Sequence, residues 1–131
     1  MPPSAEPPAG SPAVAYRRAG DLAVVREFVR VQATRLGLPA HRVELLTIAV
    51  SELATNTLQH TSGGGRVVMW AEPGLLVCDV VDQGPMRELN RAMPAAGSPR
   101  GRGLAIVERL CDEVAISAGP DGTRVRLRLH L

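Results

Sequence analysis

The chain contains no lysine: all fifteen of its basic residues are arginine. That absence excludes chemistry. A P-loop needs a lysine on the phosphates, a eukaryotic-type protein kinase needs its strand lysine, and a Schiff base needs a primary amine. Aromatics are almost as scarce, with one Trp, one Tyr and one Phe in 131 residues. The core must therefore be aliphatic, and a base-stacking surface for single-stranded nucleic acid is excluded, because it needs several aromatic platforms. Cys78 and Cys111 are the only cysteines, and their spacing suits no metal site. Both read as reduced core thiols. No apolar run approaches the length of a membrane span. The first residues lack the basic-then-apolar pattern of a secretion signal. A reducing cytoplasm is the expected compartment, and neither a membrane nor direct nucleic-acid contact is expected.

What is present suggests one domain preceded by a tail. Residues 1–12 are rich in Pro, Ala and Ser and are expected to be disordered. Residues 13–131 form the domain. Val14–Arg18 reads as a short strand. Asp21 is placed to cap a helix reaching Leu36, with Leu22, Val25, Phe28, Val29 and Leu36 as its apolar stripe and Gly37 as its stop. A second helix runs from about Pro39 to His60, halted by Ser62-Gly63-Gly64-Gly65. Arg66–Ala71 and Leu75–Asp82 read as strands joined at Glu72-Pro73-Gly74. Gly84–Arg100 reads as a long loop of the kind used as a lid. Arg102–Cys111 reads as a third helix, and Glu113–Ser117 and Thr123–His130 as a closing hairpin. The expected fold is an α/β (α+β) two-layer sandwich. Its sheet is mixed, mainly antiparallel, with three helices on one face. Arg124, Arg126 and Arg128 alternate along the last strand and read as one solvated sheet face rather than a DNA-binding stripe.

The second helix is the most informative segment. On a helical wheel Asn56 and His60 fall within a stripe made by Leu45, Leu46, Ala49 and Leu53, and Glu52 falls at its edge. Glu44, Thr47, Ser51 and Thr55 take the far side. Burying such polar groups without partners costs on the order of a few kcal/mol each. Either they satisfy one another or a polar ligand meets them. Asn and Glu one turn apart suit Mg²⁺ and phosphate chemistry: a hard amide oxygen for the metal and a carboxylate to order or deprotonate a nucleophile.

Three further features are ambiguous singly. Asp82-Gln83-Gly84 ends an apolar strand, either as an ordinary turn or as a carboxylate at the mouth of the core that accepts from an exocyclic amine such as adenine's. Gly101-Arg102-Gly103-Leu104 opens the third helix, either as a flexible loop or as backbone free to approach a phosphate. Gly122-Thr123 alone is a turn.

Together, in order, these pieces resemble the N, G1, G2 and GT boxes of the GHKL, or Bergerat-fold, ATPases: Glu52-x-x-x-Asn56-x-x-x-His60, Asp82-x-Gly84, Gly101-x-Gly103-Leu104 and Gly122-Thr123. Within that superfamily, "SELATNTLQH" and "RGRGLAIVERL" resemble the anti-sigma-factor, or switch-protein, serine kinases. The resemblance implies ATP and Mg²⁺ as cofactors, with Asn56 as metal ligand and Glu52 as the general base that activates a serine. It implies Asp82 on the adenine amino group, with Thr123 supporting it and Gly84 against the base. Gly101, Arg102, Gly103 and Leu104 would line the phosphates, and His60 belongs to the ATP-binding set. It implies a protein serine kinase whose partners are an anti-sigma-factor antagonist or a sigma factor, commonly as a homodimer. The chain departs from the pattern at Met86, where a second glycine is usual, at Pro85, and in a lid with few glycines. Those departures keep a second reading open: a nucleotide-binding module that sequesters a partner without phosphorylating it. A third is a structural domain that no longer binds nucleotide.

Overall fold

In the computed structural model, residues 6–60, 63–82, 109–119 and 122–131 are described. The elements are β1 (Ala13–Tyr16), α1 (Leu22–Leu36), α2 (Ala40–His60), β2 (Gly65–Glu72), β3 (Leu75–Asp82), β4 (Glu113–Gly119) and β5 (Gly122–His130).

Local chemistry sets the helix ends. Asp21 precedes α1, but its carboxylate makes no cap bond to that helix. Instead it accepts the Arg17 and Arg18 backbone N–H groups at 2.8 and 3.3 Å, closing the short 3-10 turn Ala19–Asp21. Those two donors hold its carboxyl below the usual carboxylate range. Gly37 stops α1 in the left-handed region at φ 103°, and its N–H and that of Leu38 return to the Thr34 and Ala33 carbonyls. α1 buries Val25, Val29 and Ala33, one turn apart.

The sheet runs β1-β2-β3-β5-β4, and all four strand pairings are antiparallel, not mixed. Hairpins join β2 to β3 and β4 to β5, which makes antiparallel pairing the short-range solution. Gly74 supplies the positive φ of the first turn. Two α-helices lie among the described residues, rather than three. The expected third helix falls mostly outside them; Arg109 and Leu110 alone show its helical backbone. Arg42 of α2 ties this stretch down by donating to the Leu110 and His130 carbonyls, each at 2.9 Å.

The core lies between helices and sheet. Alternate strand residues Val67, Met69, Leu76, Cys78, Val80, Leu127 and Leu129 meet Val25, Val29, Leu46, Ala49, Val50 and Leu53. Burial pushes the Cys78 and Cys111 thiols up, the latter to about 12, so both stay protonated. Cys78 is fully buried and Cys111 partly so, and neither forms a disulfide.

The opposite sheet face carries a separate small cluster, Val68, Trp70 and Val77. Arg126 lies on this face but is only 3% exposed, which corrects the expectation of a solvated arginine face. Residues 6–12, expected in the disordered tail, follow a defined path to this face, where Glu6 pairs with Arg124 at 3.2 Å. No helix among the described residues is long and apolar enough to cross a membrane.

Candidate functional site

α2 delivers the first part of the site. Its buried side chains are Val43, Leu46, Thr47, Ala49, Val50, Leu53, Ala54 and Thr57. The buried arc is therefore rotated from the expected stripe. Leu45 is 41% exposed, and Thr47, expected outside, is 1% exposed. Thr47 and Thr57 tolerate burial because each hydroxyl donates to the carbonyl one turn back, at 2.7 and 3.2 Å. Glu52 and Asn56 are half-buried at the rim of this arc, not within it. A rim position lets a carboxylate and a carboxamide one turn apart face the same outside group. His60 is the last residue of the helix.

β3 and β5 deliver the second part. Asp82 ends β3 opposite Thr123 at the start of β5, in direct register. Both are on the helix-facing side and buried, at 5% and 3% exposure. Residues so paired hold their Cβ atoms about 5 Å apart. The Thr123 hydroxyl oxygen is buried with no hydrogen-bond partner among the described residues. A buried hydroxyl without a partner costs about 1–3 kcal/mol, so this one is open to a polar group from beyond the described residues.

Tyr16 joins the two parts, a role that no motif or spacing signals. Its fully buried side chain places the hydroxyl beside Thr57, the residue after Asn56, and near the Asp82 carboxylate. Burial, the largest effect, pushes the phenol up to about 12; the Thr57 contact opposes this and the Asp82 charge adds to it. Gly65 lies between them, paired with Tyr16 on one side and Asp82 on the other. A Cβ there would overlap the Val81 carbonyl and stand 2.7 Å from the Tyr16 hydroxyl. Glycine is thus required for the α2–β2 junction to close under the site. The glycine run was legible as a helix stop, whereas this close approach was not.

The structure therefore brings Asp82 and Thr123 together. Tyr16 and Thr57 link them to the Glu52–Asn56 end of α2. Gly84, Met86, Gly101, Arg102, Gly103 and Leu104 lie outside the described residues. Among the described residues no group of three or more His, Cys, Asp or Glu could hold a metal unaided. The available donors are the Asn56 carboxamide and the Glu52 carboxylate.

A two-layer sandwich with a polar rim at the ends of its central strands is the frame of a known nucleotide-binding class. Residues 16–129 match the family described as histidine kinase-like ATPase domain, and the chain belongs to that family. Two solved structures share the fold. The RsbU and RsbW domains of a Mycobacterium tuberculosis protein superpose with TM-score 0.67 at 22% identity, covering 92% of this chain and 33% of that one. The histidine kinase domain of a blue-light activated histidine kinase from Erythrobacter litoralis superposes with TM-score 0.62 at 22% identity, covering 84% and 60%. This chain thus spans a third of the first chain and three fifths of the second. Among curated proteins none matches it.

Proposed function

We propose that residues 13–131 form a Mg·ATP-binding domain that acts as a protein serine kinase on an anti-sigma-factor antagonist, working in the cytoplasm as a regulator and as a homodimer. The observation that carries this reading is the Asp82–Thr123 pair. A buried carboxylate faces a buried hydroxyl that has no hydrogen-bond partner among the described residues. An adenine amino group would donate to the Asp82 carboxylate, and the neighbouring ring nitrogen would accept from Thr123. The half-buried rim of α2 supports the rest.

Mg²⁺, when bound, would neutralise charge on the phosphates and orient them. The donor set suits it. Asn56 would offer it one hard oxygen, and the remaining ligands would come from groups outside the protein, as is usual for this ion. Glu52, one turn away, accepts the proton of an incoming serine hydroxyl. The serine oxygen then takes the γ-phosphoryl group and ADP leaves. Phosphoryl transfer needs positioning and charge stabilisation more than covalent help from the protein. Arg102 and the backbone of Gly101, Gly103 and Leu104 are assigned to the phosphates, Gly84 to the base, and His60 to the ATP-binding set.

The second reading, a module that binds nucleotide and sequesters a partner without phosphorylating it, draws on Pro85 and Met86 in the segment after Asp82. One experiment separates the two. Calorimetry with ATP and ADP, with and without Mg²⁺, is run on the wild type, Asn56→Ala and Glu52→Ala, followed by label transfer from ATP to captured partners. The kinase reading expects Mg²⁺-dependent binding weakened in Asn56→Ala. It also expects transfer to a partner serine that is lost in Glu52→Ala while nucleotide is retained. Binding without any transfer would leave the sequestering module. No binding by folded wild type would remove both.

A further inference from the structure

The sheet face away from the helices is built to be covered. Trp70, Val68, Val77 and Arg126 are all less than 7% exposed, yet both described helices pack on the other side. Asp79, fully buried, accepts from Arg126 through both oxygens, at 2.7 and 2.8 Å. The same guanidinium stacks over the Trp70 ring, 5.1 Å from its centroid. A second arginine, Arg124, reaches the same carboxylate at 3.5 Å. Two guanidinium groups thus meet at one carboxylate, and Glu72 borders the same face, accepting from the Trp70 Nε1 at 3.2 Å. Arg124 is the outer of the two: its Nε stands 3.5 Å from Asp79 with no hydrogen bond among the described residues, and its Nη2 donates to Glu6 at 3.2 Å.

The described segment that reaches this face is Glu6–Pro12. Its end is fixed on β2, where the Pro12 carbonyl accepts the Met69 N–H at 3.2 Å. Its start is on β5, at Arg124. β3 lies between those strands, so the segment crosses over it. Two strand spacings are about 10 Å, and an extended run of this length reaches roughly 20 Å. A turn at Pro8–Ser11, with Gly10 at φ 82°, takes up the slack. Prolines suit the crossing because they bring no N–H to satisfy, are already stiff, and pack on aromatic rings.

We propose that this face is a peptide-binding groove for an extended segment carrying a carboxylate followed by prolines. In the isolated chain its own residues 6–12 fill it, and a partner segment of the same chemistry exchanges with them. Exchange is possible because the anchoring pair is at the rim: the Glu6 side chain is 78% exposed, and such pairs hold weakly. The groove is separate from the Asp82–Thr123 site and rests on nothing assumed about nucleotide.

The chain carries its own reporter, since Trp70 is its only tryptophan. Acrylamide quenching of its fluorescence is measured without nucleotide on the full-length wild type, Glu6→Arg, Arg124→Glu and the double exchange. The groove expects the Stern–Volmer constant to rise at least twofold in each single variant and to return to the wild-type value in the double. A synthetic peptide of residues 1–12 should then restore protection in Glu6→Arg, saturably, whereas a peptide carrying Arg in place of Glu should not. Equal quenching in all four proteins would overturn the proposal, as would protection indifferent to the peptide's glutamate. Quenching that rises on dilution of the wild type would overturn occupation by the chain's own segment and place the segment on a second copy.

Discussion

The two faces of the sheet are made by the same strands and held by opposite chemistry. Toward the helices, β3 presents Leu76, Cys78 and Val80, which need only shape and contact. Away from them it presents Val77 and Asp79, and β5 answers with Arg126. Burial on the first side is favourable atom by atom, at roughly 25 cal/mol per Å². On the second side each charge is costly alone and tolerable only because the other is there. A face of the first kind degrades gradually when trimmed, and one of the second kind fails when either partner is lost.

Asp79→Ala should show the largest effect, a loss of about 3–5 kcal/mol in urea unfolding, because it strands a buried guanidinium. Replacing both members, as Asp79→Leu with Arg126→Met, should cost less than either single change. A double variant as unstable as the sum of the singles would refute the contrast between the faces. Leu76→Ala, on the helix side, should cost about 2–5 kcal/mol by transfer and cavity alone, with no partner able to rescue it. A third test uses alkali. The Tyr16 phenol is raised from 10 to about 12 in the fold, so the fold favours the neutral form. Its contribution is fully present below pH 10 and is lost as pH climbs to 12, on the order of 2 kcal/mol. Tyr16→Phe should flatten that part of the stability profile relative to wild type, and an unchanged slope would remove Tyr16 from the buried nest. The smallest effect on stability belongs to Thr123→Val. Its hydroxyl has no partner among the described residues, so unfolding should shift by less than about 1 kcal/mol. Affinity for adenine nucleotides should nonetheless fall about tenfold, a loss of 1.4 kcal/mol of binding energy. Unchanged affinity would exclude the hydroxyl from adenine recognition.

Much of the helix side could be read from the residues. The stripe of α1, the Gly37 stop, the hairpin turn at Gly74 and the placement of Asp82 with Leu76, Cys78 and Val80 follow from period and turn chemistry. The errors have physical causes. The wheel of α2 located its polar and apolar arcs but not the centre of the buried one, because Thr47 hides its hydroxyl against the Val43 carbonyl. Leu45 was drawn inward only by its apolarity. On the other face, alternation identified Arg124, Arg126 and Arg128 as neighbours. Alternation cannot say what covers a face, and the covering segment came from residues whose composition suggested no structure. Tyr16 was read as part of a strand, since its link to Thr57 and Asp82 spans elements far apart in the chain.

The strand order has a kinetic consequence. β2 pairs with β3, and α1 packs on α2, between neighbours in the chain. β3 pairs with β5 only after a long intervening stretch has been gathered in, and closing such a loop is entropically slow. Asp82 and Thr123 sit on that non-local pairing. These two side chains of the candidate site therefore meet only through a non-local pairing, and a chain that has made its helices and first hairpin alone has not yet brought them together.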